Sequence, residues 1–481
     1  MTLVHADRDA VEPRVAGGRP APGPLSASKA VLVVAYRFPP QGGGGVQRTL
    51  KFVKYLPQHG WRPIVHTVSN PFWPLRDESL LREVPAEVPV YRTPTLEFER
   101  LAHAASGPSQ PAAERSGGSG RGPRARRGRV WTRMARGLHG AVMRNVLVPD
   151  PQIAWVPGAV VRSLLLARRH GARLLYTSSP PNSCQVVGLA LKRLTGLPWI
   201  ADFRDPWTQG IRRKAAYERT PWRGRFEGAL ERAVLTRADH VLLTTERTRE
   251  QYLAAYPDLP GEKFSVITNG FDPADFVMPR GTYRLLDPAR FQLTLAGNVE
   301  AMFDATPFFT ALRDLRREDE GLRAHLQVNF IGTKRGKYDA LIRDSGLSDA
   351  VRYVDYVPHQ TCLRYLVESD ALFLCQIPVD ESASAKLSGK LFEYLYMRKP
   401  ILALTIPGLT AEILQRSRLG QAVDPVDVAG IREAVRDLYR AWYRGYGRPE
   451  ADEAYIATFD RASQAERLAA LADRLVAGAG S

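Results

Sequence analysis

Two stretches hold residue types suited to gripping an anionic phosphate ligand. In residues 385–404, Ser388 and Gly389 mark a helix start. Leu391, Tyr394 and Leu395 then recur at helical spacing until Pro400 forces a stop, and residues 401–404 follow as a short apolar strand. A loop that enters a helix this way aims unpaired backbone N–H groups and the positive end of the helix dipole at one point, a cradle for a diphosphate. Lys386 and Lys390 flank that cradle, and Glu393 sits about one turn further in, where a carboxylate can accept from paired ribose hydroxyls. The same residues also describe an ordinary loop–helix–strand unit with a solvated glutamate.

The second stretch lies near the front. Residues 31–36 form a continuous apolar strand, followed by Phe38-Pro39-Pro40-Gln41 and the run Gly42, Gly43, Gly44, Gly45. A helix then carries Val46, Leu50 and Val53 on one face. Glycines between a strand and a helix let backbone approach a phosphate or sugar more closely than a side chain would permit. The spacing is not the GxGxxG dinucleotide fingerprint.

The elements that must position these stretches alternate. At 481 residues the chain exceeds a single core and predicts two domains. Strands near 64–68, 174–178, 199–202, 241–245 and 264–268 in the first half, and 293–296, 326–331, 351–354, 371–374 and 401–404 in the second, are separated by helical patterns. Apolar strands each followed by a helix mean parallel sheets covered on both faces. The expected fold class is therefore α/β, with two doubly wound Rossmann-like domains facing each other across a cleft. Expected boundaries are a disordered leader at 1–28, a first domain at 29–275, a second at 276–445 and a C-terminal helical tail at 446–481. Residues 71–98 read as irregular, and 103–128 as a mobile Arg/Gly-rich insertion.

Charge and composition narrow the classes. The net charge is +17, and eight arginines fall from Arg115 to Arg136 with no acidic residue among them. Residues 130–148 are amphipathic and basic, so the region bounded by Arg115 and Arg144 is a candidate for an anionic membrane surface, or a helix packed on its own domain. Nucleic acid is disfavoured because the basic run has no aromatic platform beyond Trp131 and no zinc-finger or helix-turn-helix signature. No window has 18 consecutive apolar residues, and Cys184, Cys362 and Cys375 show no metal-ligand or disulfide spacing. Cytoplasmic placement, with peripheral attachment to the inner membrane face, is the expectation.

With both halves in view, the chain resembles the GT-B glycosyltransferases, specifically the retaining, nucleotide-sugar-dependent family 4. The resemblance rests on Phe38 to Arg48, on Pro198-Trp199-Ile200-Ala201-Asp202-Phe203-Arg204-Asp205-Pro206-Trp207, on Asn269-Gly270-Phe271-Asp272 and on Gly389-Lys390-Leu391-Phe392-Glu393. It implies transfer of a sugar from a UDP- or GDP-type donor, without a required metal or other cofactor, to a lipid-linked or polysaccharide acceptor in cell-envelope glycan synthesis. The second domain would hold the donor through Gly297, Asn298, Lys334, Lys386, Ser388, Gly389, Lys390, Leu391 and Glu393, with Gly44 and Gly45 approaching from the first. Asp202, Arg204 and Asp205 are the expected catalytic group on the acceptor side, although Arg204 and Asp205 also suit a structural ion pair. The sequence departs from the family where the first glutamate of its usual pair falls on Ala385. It also lacks the Arg and Lys that usually follow the first strand of the second domain. A non-catalytic sugar-nucleotide-binding or scaffold protein of the same fold is the alternative.

Overall fold

The computed structural model describes residues 29–71, 75–96, 147–209, 220–277, 284–297, 304–332, 336–376, 387–445 and 449–479. The first half contributes β1 (Lys29–Ala35), β2 (Trp61–Val68), β3 (Val90–Thr93), β4 (Ala172–Ser179), β5 (Trp199–Phe203), β6 (His240–Leu243) and β7 (Phe264–Val266). They form one parallel sheet in the order β3-β2-β1-β4-β5-β6-β7. Helices α1 (Gly44–Tyr55), α2 (Val156–His170), α3 (Ser183–Thr195), α4 (Pro221–Arg237) and α5 (Glu246–Ala255) connect them.

Strand β1 shows why both faces are covered. Side chains alternate across a strand. Leu32 and Val34 therefore enter a core with Leu166 of α2, Val187 of α3 and Val234 of α4. Val31 and Val33 enter the opposite core, with Val46 and Leu50 of α1.

The second half repeats the plan. Strands β8 (Phe291–Ala296), β9 (Leu326–Ile331), β10 (Val351–Val354), β11 (Ala371–Gln376), β12 (Ile401–Thr405) and β13 (Gly420–Val423) run in the order β10-β9-β8-β11-β12-β13. Its helices are α6 (Thr306–Glu318), α7 (Glu320–His325), α8 (Asp339–Asp344), α9 (His359–Glu368), α10 (Gly389–Met397), α11 (Leu409–Ser417) and α12 (Val428–Tyr443). Both sheets reverse direction beside their first strand, the doubly wound arrangement.

The tail is two helices, α13 (Glu453–Ala457) and α14 (Arg461–Gly478), where the sequence pattern reads as one. Asp460 breaks it: its carboxylate accepts the Ala462 N–H at 2.6 Å and starts α14 afresh. Helix α14 returns to the first domain, where Ala465, Leu468 and Leu471 join the α1 core. Strand β3 lies in a stretch read as irregular, because four residues around Tyr91 give too short an alternation to announce a strand. The insertion at 103–128 lies outside the described residues, as does nearly all of the helix expected at 130–148.

Candidate active site

In doubly wound sheets ligands bind beyond the carboxyl ends of the strands, where the strand order reverses. In the first domain that point lies between β1 and β4. Past β1 the chain forms a loop braced by Asp77 N–H to the Pro40 carbonyl (2.9 Å) and Gly42 N–H to the Leu75 carbonyl (2.8 Å). Gly43 turns it into α1 at a φ of 91°, a conformation that favours glycine. Gly44 is exposed and Gly45 half-buried at the very start of the helix, where the leading amides precede the intrahelical ladder.

Arg204, just past β5, closes the reversal point. Its Nε donates to the Ser179 carbonyl at 3.0 Å, and its terminal nitrogens donate to the carbonyls of Gly45 and Pro180. One guanidinium thus ties the glycine loop to the loop after β4. Half-buried Asp205 acts on it electrostatically.

Asp202 does not join them at the cleft. It is fully buried, and Arg48 of α1 grips it from Nε (3.1 and 3.0 Å) and from its terminal Nη2 (2.8 Å). Tyr176 Oη and Ser178 Oγ donate to its second oxygen at 2.7 and 3.0 Å. Arg48 also donates to the carbonyls of Ile267 and Thr268, at 2.7 and 2.9 Å. With both oxygens engaged inside the core, Asp202 anchors β5 to α1 and the interdomain linker, and it leaves our catalytic assignment.

In the second domain the equivalent reversal lies between β8 and β11. Strands β8 and β9 end on Gly297 and Gly332, both at positive φ, with Gly297 N–H bonded to the Ile331 carbonyl at 2.7 Å. Helix α10 starts at Gly389 after Ser388. Lys390 is half-buried, and burial pulls its ammonium pKa down while Glu393 opposes the shift. Leu391 departs from its expected role. Its side chain is fully buried in the second-domain core and its N–H points to the Ser388 carbonyl at 3.2 Å, so neither is available to a donor. Asn298, Lys334 and Lys386 lie outside the described residues.

Glu393 faces a partner that sequence reasoning missed. Its Oε1 accepts from His359 Nε2 at 3.0 Å. Burial pushes the Glu393 pKa up, but His359 and then Lys390 outweigh it and hold the carboxylate below its usual value. Burial likewise works against a charged His359, yet Glu393 lifts its pKa to about 9. The backbone N–H of His359 donates to Asp77 Oδ2 of the first domain at 3.0 Å. Beside this contact, a Cβ added to Gly42 would lie 2.6 Å from the Tyr356 hydroxyl. A continuous line therefore crosses between the domains, from the glycine loop through Asp77 and His359 to Glu393. Nδ1 of His359 is buried and has no partner among the described residues.

Below this line, Lys51 of α1 sits among Glu83, Asp272 and Asp275, with Asp272 Oδ2 at 2.9 Å. Lys54 and Tyr55 also bond Asp272, at 2.7 and 2.6 Å. These three carboxylates have the spacing of a cation site. The Lys51 ammonium occupies that role, and the trio fastens the interdomain linker to α1. His66 and His240 are core histidines, as their strand positions imply: His66 bonds Ser163 and Thr93, and His240 bonds Ser265.

Nothing in the sequence flagged Asp77, which sits in a loop, or His359, which opens α9, since neither belongs to a motif. Arg48 closed the Phe38–Arg48 stretch without a role assigned to it, and Lys51 was one more polar position on α1.

Comparisons with known proteins place this geometry in a class. Residues 119–275 match the model of Glycosyltransferase Family 4. Sucrose-phosphate synthase from Thermosynechococcus elongatus shares 14% identity and a TM-score of 0.60, over 94% of this chain and 100% of that one. The Anabaena protein HepE, solved with UDP and glucose, shares 13% identity and a TM-score of 0.51, over 93% and 97% of the two chains. WaaG, a glycosyltransferase involved in lipopolysaccharide biosynthesis, shares 15% and a TM-score of 0.51, over 92% and 99%. No curated protein matches the sequence significantly. The fold is therefore of the GT-B type, and part of the first half, residues 119–275, is similar to glycosyltransferase family 4. Among the described residues no helix is long and apolar enough to cross a membrane.

Proposed function

We propose that the protein transfers a sugar from a nucleoside diphosphate donor, of UDP or GDP type, to a lipid-linked or polysaccharide acceptor in cell-envelope glycan synthesis. The observation that carries the reading is the line from the glycine loop through Asp77 and His359 to Glu393, which brings both expected donor-binding stretches to one cleft. In this reading the α10 N-terminus at Ser388 and Gly389, with Lys390 beside it, receives the diphosphate. Glu393 receives the ribose hydroxyls, and the unpartnered His359 Nδ1 donates to the nucleotide. Gly44 and Gly45 admit the transferred sugar, and Arg204 with Asp205 orients the acceptor.

A front-face, retaining transfer asks little covalent chemistry of the protein. Leaving-group charge must be stabilised and the hydroxyl held near the anomeric carbon, which preorganised donors accomplish without a metal. Thermal unfolding with UDP, GDP, ADP and dTDP tests the donor site. A ligand at a hundred times its dissociation constant adds about 2.7 kcal/mol, so one of the four should raise the midpoint by several degrees. A midpoint that none of them moves removes the donor site.

Ala385 and the ion pair already made by Glu393 favour a second reading, a sugar-nucleotide-binding protein without turnover. Diphosphate binding without product from any sugar nucleotide would select it.

A further inference from the structure

Helices α2, α3 and α4 lie side by side on one face of the first sheet. They carry nine Lys or Arg, three on α2, two on α3 and four on α4, against two acidic residues. Both acids are turned inward and fully buried. Glu227 accepts from Trp207 Nε1 at 2.8 Å, and Glu231 from the hydroxyls of Tyr252 and Tyr256 at 2.7 and 2.8 Å. Lys192, Arg223 and Arg232 have carboxylate partners. Arg168, Arg169, Arg193, Arg225 and Arg237 make no ion pair among the described residues.

The same face also holds apolar side chains in water. Twelve large hydrophobics are exposed among the described residues, and five of them are here: Val161, Leu165, Leu194, Trp222 and Phe226. Trp222 and Phe226 stand one turn apart on α4 and are about half exposed, at 48% and 53%. Two adjacent aromatic rings held half exposed on a solvated face mark a contact surface. Arg225 stands between the two aromatics, while Arg168, Arg169, Arg193 and Arg237 line the far end of the same face in the last turns of their helices. With both helix acids withdrawn, a face that is basic along its length and aromatic at one end matches an anionic lipid headgroup layer.

We infer that the outer face of α2, α3 and α4 docks on an anionic bilayer, with Trp222 and Phe226 entering the headgroup region. These two residues occupy the first turns of α4, the end nearest the carboxyl edge of the sheet, where Arg204 and the glycine loop open. A bilayer held there delivers a lipid-linked acceptor to the cleft mouth. In purpose the inference rests on the acceptor reading above, but it is measured without any sugar.

The test is sedimentation of the full chain with vesicles of phosphatidylcholine, alone or mixed with phosphatidylglycerol. Three variants accompany it: Arg168→Glu/Arg169→Glu/Arg225→Glu, Trp222→Ser/Phe226→Ser and a deletion of residues 103–128. Binding is expected only to the mixed vesicles. Reversing three charges should lower the partition coefficient by roughly a hundredfold or more. The aromatic double variant should release the protein at raised salt, and both should unfold at the parent's midpoint because the changed residues are exposed. Binding that survives both sets of substitutions but disappears with residues 103–128 overturns the inference. So does equal binding to neutral vesicles, or capture by an acidic protein while vesicles stay unbound. Normal vesicle binding without sugar transfer would leave this surface standing and remove the enzymatic reading alone.

Discussion

His359 Nε2 lies 3.0 Å from Glu393 Oε1, while the backbone N–H of His359 reaches Asp77 of the other domain at 3.0 Å. A single residue thus ties the carboxylate expected to hold the ribose to the loop that braces the glycine turn. Asp275 favours the charged imidazole from the linker, while Lys51 of α1 opposes it.

That pair gives a pH dependence with a definite sign. The folded His359 pKa, about 9, lies above its ordinary value near 6.5, so the protonated ring stabilises the fold. Its contribution is complete below about pH 6.5 and is lost as pH rises through about 9, on the order of 3 kcal/mol in all. Chemical denaturation from pH 6 to 10 should show this loss in the parent protein and a flatter profile in His359→Gln. Identical profiles for the two would dissociate the ion pair from stability.

Asp202→Ala should act on folding. It leaves the Arg48 guanidinium buried without its carboxylate, a change that costs roughly 3–5 kcal/mol. Urea unfolding should show the drop, and any activity lost should follow the folded fraction. A stable, fully folded Asp202→Ala protein with kcat reduced by several orders of magnitude would return Asp202 to catalysis.

Lys51→Met should be comparably severe, because Glu83, Asp272 and Asp275 would face one another without their shared cation. A loss of about 3–5 kcal/mol is expected, partly relieved on acidification because burial already raises the Asp275 pKa to about 6. Unfolding at pH 5 and pH 8 measures that relief.

Gly270→Ala tests the strap between the linker and the tail. A Cβ there would stand 2.0 Å from the Phe459 carbonyl oxygen, so backbone must move. The expected cost is about 1–3 kcal/mol of stability, read as a lower unfolding midpoint.

Much of this architecture was legible in the sequence, for reasons that the failures also explain. Long apolar strands such as the one bearing Leu32 and Val34 and glycine punctuation at Gly42 to Gly45 are local signals, so the two doubly wound halves could be read directly. Helix α10 was equally plain from Ser388, Gly389 and Pro400. Partnership is not local. Asp202 and Arg48 stand 154 positions apart, and His359 and Asp77 stand 282 apart. A motif that names Asp202 cannot reveal that Arg48 and Tyr176 consume its oxygens. Leu391 shows the same limit at close range, since it belongs to a conspicuous motif but its side chain serves the core.

The proposed donor cleft is tested most directly by incubating the protein with a panel of sugar nucleotides and membrane lipid or glycan acceptors, and following product. Sugar transfer from one donor is expected, with kcat/KM reduced by more than about tenfold in Glu393→Ala while the fold is retained. Transfer at the parent rate by a folded Glu393→Ala protein would contradict the central claim, as would no transfer from any donor by the parent.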